Sequence, residues 1–263
     1  MMKNRIKKLR KLIKINNLDG YIIPKNDAYF SEYSSPDRLK ILTNFSGSAG
    51  FAIILKKENY LFVDGRYTIQ AQIQSGKYFK IMEVPKFSTN HILKKLKKKL
   101  LLGFDPQLFT NLTLKKKFAK NFDLLAITEN LVDKIYKDKS KKKISSFYNL
   151  DIKTSGERVS SKINKLIKIM KSKNIDNIFI SAAENVAWLL NIRGKDNPHS
   201  PIPNCKIILT NTRKIFFFSC PKKINKIKKN SDYKNITFCT YQDFLKTINK
   251  LRGNNFGIDS STC

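Results

Sequence analysis

Arg66 is the side chain in this sequence best placed to do chemistry. It lies in "YLFVDGRYTIQAQIQ", residues 60–74. Tyr60 to Val63 form an aromatic and branched run that predicts a strand, and the residues after Tyr67 predict a helix. Between them, Asp64 can cap the first turn and Gly65 bends the chain. That leaves a guanidinium at the carboxyl end of a strand, where open α/β sheets bind ligands. Its planar fork can hold a carboxylate or a carbonyl without changing protonation. A second arginine, Arg193, stands in "NIRGKDNP". The plain alternative for both is a salt bridge that ties down a loop, with Asp64 or Asp196 as partner.

Other chemistries find little material. There are two histidines. His91 opens the basic helix "HILKKLKKKL", and His199 lies in the proline-rich loop "NPHSPIPN". No HExxH is present and no histidine–carboxylate cluster has metal-ligand spacing, so no catalytic or metal-binding residue is assigned. "SGSAG", residues 46–50, fits neither GxSxG nor the phosphate-binding glycine patterns, and reads as a tight turn feeding the strand "FAIIL". Cys205, Cys220, Cys239 and Cys263 form no CxxC pair and read as reduced, mostly buried thiols.

The elements that must hold Arg66 come in two copies. "IKKLRKLIKINNLDGYIIP" is echoed by "INKLIKIMKSKNIDNIFIS". Each reads as an amphipathic helix, a turn ending in aspartate (Asp19, Asp176) and a short strand. "LTNFSGSAG" then parallels "LLNIRGKDN", and two hairpins follow, turning at "KKEN" and "NTR". Gly103-Phe104-Asp105 is mirrored by Gly257-Ile258-Asp259. The fold class is therefore α/β: two similar domains, each a mixed β-sheet flanked by helices. The first domain is set at residues 1–132, a lysine- and serine-rich linker at 133–155, and the second domain at 156–263. In the region matching Arg66 the second copy reads Ser219-Cys220-Pro221, without arginine, which makes Arg66 a candidate for function in the first copy only.

The formal net charge of +32 raises the question of nucleic acid. Only 8 of the 52 basic residues are arginine, the type favoured for specific phosphate and base recognition. The lysines are dispersed and travel with Asn, Ile and Phe, as in a proteome with A/T-rich codons. Generic polyanion binding at low salt follows, and specific nucleic-acid binding is not expected. No apolar run nears the ~20 residues of a membrane span, so no membrane partner is expected. The N-terminus has no continuous apolar stretch and reads as a first helix rather than a signal, which gives a cytoplasmic expectation.

In family order, "DGYIIPKNDAYFSEY", "RLKILTNFSGSAGFAIIL", "LFVDGRYTIQAQ", "LGFDPQLFT", "NLVDKIY" and "AWLLNIRGKDNPHSPI" resemble both creatinase-type N-terminal domains of a three-domain Xaa-Pro aminopeptidase (aminopeptidase P). The resemblance implies removal of an N-terminal residue that precedes proline. It implies two divalent metal ions, commonly manganese, held by two Asp, one His and two Glu in a third, pita-bread domain. That domain is expected to begin where this sequence stops. The implied partners are that catalytic domain, in cis or in trans, a peptide with proline in second position, and further copies of the chain in a homo-oligomer. No cofactor is expected on this chain, and alone it is expected to be inactive. The arginine matching Arg66 reaches toward the substrate in the family, so Arg66 is the one substrate-binding residue carried over. A free-standing binding or assembly module is the alternative.

Overall fold

The computed structural model describes all residues except 32, 34, 97, 98, 137–143, 198 and 230–232. The chain divides into two compact units, Met1–Ser140 and Lys141–Cys263.

The first unit opens with α1 (Met2–Ile15), which buries Met2, Ile6, Leu9 and Ile13, one stripe at helical spacing. Asn17, at φ 53°, turns the chain out of the helix in the left-handed region, where asparagine is tolerated. Then come β1 (Gly20–Pro24), α2 (Arg38–Thr43), β2 (Gly50–Leu55), β3 (Asn59–Asp64), a 3-10 turn (Gly65–Tyr67) and α3 (Thr68–Ser75). They are followed by β4 (Lys80–Val84), α4 (Asn90–Leu96) and β5 (Leu100–Phe104). Last are α5 (Asn111–Leu114), widening into a π turn over Lys115–Ala119, then β6 (Phe122–Ala126) and α6 (Leu131–Ile135). The sheet order is β4-β3-β2-β1-β5-β6. The β1–β2 and β2–β3 pairs are antiparallel, and β3–β4, β1–β5 and β5–β6 are parallel. One face packs against α1, α2 and α6 through Leu9, Ile13, Leu42 and Val132. The other packs Ile22, Phe62 and Leu102 against Ile92, Phe109 and Phe118.

The second unit contains β7 (Tyr148–Asn149), α7 (Ile152–Ser155), α8 (Val159–Ser172), β8 (Asn177–Ile180), α9 (Ala183–Leu189) and β9 (Ile192–Arg193). The remaining elements are β10 (Lys206–Thr210), β11 (Ile215–Phe218), α10 (Pro221–Ile224), β12 (Ile236–Cys239), α11 (Phe244–Ile248) and β13 (Phe256–Ile258). Its main sheet runs β12-β11-β10-β8-β13, and β7 pairs with β9 alone. Pair for pair, this is the first sheet without a counterpart of β6.

The repeat extends to single interactions. Asp19 NH donates to Leu101 O at 2.8 Å, and its Oδ2 accepts from Leu101 NH at 3.1 Å. Asp176 NH donates to Asn255 O at 3.0 Å, and its Oδ2 accepts from Asn254 NH at 2.9 Å and Asn255 NH at 3.1 Å. The aspartate therefore ties β5 to β1 in the first unit and β13 to β8 in the second. Arg5 donates to Ile41 O near the end of α2, and Lys162 Nζ donates to Trp188 O near the end of α9. Each cation donates to a carbonyl in the last turn of a helix, where carbonyls lack the usual i+4 partner. Asn174 and Asn191, at φ 53° and 50°, repeat Asn17 and Asn44, at 53° and 64°.

Parts of the segment 133–155, expected as linker, are built into the two units. Asp133 lies in α6 and takes both Nε (2.9 Å) and Nη2 (2.7 Å) of Arg38. Phe147 is fully buried against the second sheet, its ring 6.3 Å from that of Phe217. Residues 137–143 of that segment lie outside the described residues.

Replacing Asp19 or Asp176 by alanine leaves strand amides without their acceptor. Each change should lower the stability of its unit by about 1–3 kcal/mol, read by urea unfolding. Lys168→Ala on the exposed face of α8 should stay within about 0.5 kcal/mol.

Candidate functional site

Arg66 sits where the sequence places it, in the turn just past β3. Asp64 caps that turn: its Oδ1 accepts from Arg66 NH at 3.0 Å and from Arg66 Nε at 2.8 Å. The pair holds the Asp64 carboxyl below the usual carboxylate range, chiefly through the guanidinium and then through the backbone NH. The Arg66 side chain is nonetheless 76% exposed, so a ligand can reach it. Gly65 has no positive φ, and a Cβ there would meet only Glu83 at 3.6 Å. The bend assigned to Gly65 is therefore made by the Asp64 cap and does not require glycine.

The turn is braced from below. The Tyr67 ring lies 5.6 Å from the Arg66 guanidinium carbon and stands edge-on to Phe45 at 5.9 Å. Tyr67 OH is 2.8 Å from Ser48 Oγ. Ser46 Oγ accepts from Gln70 Nε2 and Gln74 Nε2, each at 2.9 Å, and Ser46 NH donates to Gln74 Oε1 at 2.9 Å. "SGSAG" is thus a turn clamped to α3. Gly50, at φ 154° with Phe62 O 2.8 Å from where a Cβ would sit, admits no other residue without strain. Tyr67 and Ser48 were not singled out from the sequence; the aromatic residue directly after Arg66 was the available signal for the first.

Asp64 also borders a cleft of about 510 Å³ at this end of the sheet. Its floor is the stacked pair Phe51 and Phe62, with centroids 4.6 Å apart and planes within 5°. Lys116, Lys117 and Lys120 stand on the far rim.

Strand pairing corrects the comparison between copies. Leu61 lies opposite Ala52, and Phe217 lies opposite Ile207, the residue equivalent to Ala52. Continued along both strands, Ser219-Cys220-Pro221 matches Val63-Asp64-Gly65, and Lys222 falls at the place of Arg66. Lys222 is exposed and Cys220 precedes α10. A cation therefore stands at this position in both copies, and what separates the first copy is the carboxylate cap that orients an arginine.

The other candidates are not brought to this turn. Arg193 donates to Ala187 O at 3.1 Å and Ile192 O at 2.9 Å, not to Asp196. Asp196 is taken by Lys223 and by Asn204 NH. His91 is exposed in α4 and packs edge-on to Phe87 at 5.2 Å, and His199 lies in an exposed turn. All four cysteines are free thiols, but only Cys205 is fully buried, and that burial raises its pKa. Cys220 and Cys239 are half-buried and Cys263 is exposed. Among the described residues no three His, Cys, Asp or Glu side chains gather where they could hold a metal ion. The residues present do not fit a metal centre. Among the same residues no helix is long and apolar enough to cross a membrane.

Comparison with known proteins follows the same division. The Creatinase/Prolidase N-terminal domain family matches residues 5–135 and again residues 138–263. The chain belongs to this family and consists of two such domains in tandem. Its relatives are Xaa-Pro aminopeptidases. A probable Xaa-Pro aminopeptidase P of Laccaria bicolor is 31% identical over 262 residues, 94% of this chain and 40% of that protein. Aminopeptidase P2 of Arabidopsis thaliana is 33% identical over 260 residues, 93% of this chain and 36% of that protein. The crystal structure of the X-prolyl aminopeptidase from Caenorhabditis elegans, described as a cytosolic enzyme with a di-nuclear active site, superposes with a TM-score of 0.86 at 27% identity. That match covers 94% of this chain and 44% of the other. The chain thus spans about 40% of the length of the curated relatives it matches.

Replacing Arg66 by glutamine removes the larger of the two contacts on Asp64. The Asp64 carboxyl should then titrate at higher pH, still below an ordinary aspartate because the backbone NH remains. NMR titration of its side-chain carbon reads this directly, and an unmoved pKa would mean that the pair does not persist in solution.

Proposed function

We propose that this chain is the substrate-positioning part of a metal-dependent Xaa-Pro aminopeptidase, acting in the cytosol. The observation that carries the reading is Arg66: a reachable guanidinium, oriented by Asp64 and braced by Tyr67, at the strand end of a domain whose relatives are Xaa-Pro aminopeptidases. A guanidinium's planar fork suits a peptide carbonyl or carboxylate. The metal ions, and the water they activate, belong to a catalytic domain in cis or in trans; these two domains supply orientation and surfaces for assembly into an oligomer. No catalytic step is assigned to residues 1–263.

Purified and free of other peptidases, residues 1–263 should release no residue from Xaa-Pro peptides with added manganese, and turnover would overturn the reading. Intact mass of the protein from its own cells separates the two arrangements: a mass well above 30.5 kDa places the catalytic domain in cis. Arg66 is tested in a hybrid in which this chain replaces the matching part of the Caenorhabditis elegans enzyme. Losing a charge-assisted contact worth about 1.5–3 kcal/mol should lower kcat/KM by at least about tenfold, most of it in KM. An unchanged kcat/KM for Arg66→Ala would remove Arg66 from the site.

A further inference from the structure

The cleft beside Asp64 opens where β3 and β4 end, at Asp64 and Val84, and where β2 begins, at Gly50. β1, β3, β4, β5 and β6 all run toward this edge of the sheet, and β2 runs away from it. Carboxyl ends of strands are where open α/β sheets hold ligands. A volume of about 510 Å³ is room for a small organic molecule.

The walls of the cleft are clipped together. Thr89, just ahead of α4, donates from Oγ1 to Lys117 O at 2.7 Å, and Asn121 Nδ2 donates to Thr89 Oγ1 at 2.8 Å. Thr89 and Asn121 are both buried, so these bonds set the spacing between the start of α4 and the π turn. The floor is aromatic. Phe51 is half-buried, stacked on Phe62 and met edge-on by Phe118 at 5.3 Å. Lys117 Nζ lies 5.8 Å from the centre of the Phe51 ring. The charges around this floor are unbalanced. Asp64 is taken by Arg66, whereas Lys116, Lys117 and Lys120 are exposed and have no carboxylate partner among the described residues.

The second unit closes the same place with its own side chains. Phe218 corresponds to Phe62, and Lys206 to Phe51. Phe244, the first residue of α11, stands edge-on to Phe218 at 5.1 Å. It can do so because α11 follows closely on Cys239, the residue opposite Phe218. In the first unit Met82 stands opposite Phe62, and α4 begins only at Asn90. The longer connection lines the cleft, through Pro85, Phe87 and Thr89, instead of covering its floor. The shared fold therefore does not require the opening, and the aromatic floor with a cationic rim exists in the first copy alone.

We propose that this cleft binds a small aromatic carboxylate, with its ring on Phe51 and its carboxylate held by Lys116, Lys117 and Lys120. Contact between rings supplies the apolar part of the affinity, and the like charges at the mouth select an anion. An aromatic cation meets the same charges as repulsion, and an aliphatic acid lacks the ring. Nothing in this site depends on the peptidase reading.

The test titrates the full chain with 2-naphthylacetate, followed by calorimetry in about 0.15 M salt. Saturable one-to-one binding is expected, at least about tenfold tighter than that of the matched amine, 2-(2-naphthyl)ethylamine. Lys116→Gln, Lys117→Gln and Lys120→Gln together should weaken it at least about tenfold. Lys3→Gln, Lys7→Gln and Lys11→Gln together remove the same charge from the exposed face of α1 and should leave it unchanged. Phe51→Lys, which installs the residue of the second copy, should abolish binding. The rim lysines are exposed, so their triple variant should keep the urea midpoint of the parent chain, and the test does not hang on the folding of Phe51→Lys. Absence of saturable binding, equal binding of the amine, or equal affinity in the two triple variants would overturn the proposal.

Discussion

One aspartate joins the first strand of each sheet to its parallel neighbour: Asp19 ties β5 to β1, and Asp176 ties β13 to β8. The last strand of each five-strand repeat must lie beside the first, in parallel, and no short turn can bring it there. Asp19 and Leu101 are 82 residues apart. Closing so long a loop costs only about 1 kcal/mol more than closing one of 20 residues, at about 0.6 kcal/mol per doubling. A charge-assisted bond to a strand amide contributes about 1.5–3 kcal/mol, so the carboxylate outweighs the added length. It also sets the register, because its own NH and its side chain grip the same residue. With β5 fixed against β1, the two faces of the sheet become defined, and with them the helices that cover each face.

The Arg66 turn rests on that frame. β3 reaches β1 only through β2, and Phe45, Gly47 and Gly50 bring the preceding turn under Tyr67. The guanidinium is thus an exposed group on a packed base. Asp64 both caps the turn and fixes one nitrogen of Arg66, which sets the direction of the guanidinium. In the second unit the same backbone position carries Lys222 after Cys220, a point charge with no carboxylate cap to aim it. Duplication kept the platform and the sign of the charge, while the directed fork exists only once.

The repeat could be read in the sequence because it is written in local signals: Asn before Leu or Ile and Asp after a helix, two hairpins, and a glycine before an aspartate. The turn at Arg66 was legible for the same reason, since Asp64 caps its own neighbour. Features fixed by distant partners were not. Phe147 lies in a lysine- and serine-rich stretch, and distant residues such as Phe217, seventy residues on, make it core. Asp133 looks like linker until Arg38 reaches it. Arg193 was matched with Asp196, the nearest carboxylate in sequence, but Lys223 takes that group in space. The shift of Arg66 onto Lys222, rather than onto Ser219-Cys220-Pro221, emerges only when the strands are paired residue by residue. β6 was missed because "FDLLA" is short and follows a run of lysines, so its pairing with β5 is a tertiary fact.

The strand order has a consequence for how the protein is made. A nascent chain emerges N-terminus first, and the β2–β3 hairpin, closed by Leu55 NH to Glu58 O at 2.8 Å, can pair almost as soon as it appears. β1 can then join β2. The other side of β1 must wait for Leu101, 82 residues after Asp19, and β8 must wait likewise for Phe256. Throughout that interval of translation each domain holds an apolar strand, "GYIIP" or "NIFI", with one row of backbone groups unpaired. These are the moments at which a chaperone, or a neighbouring ribosome's product, has its best access to the chain.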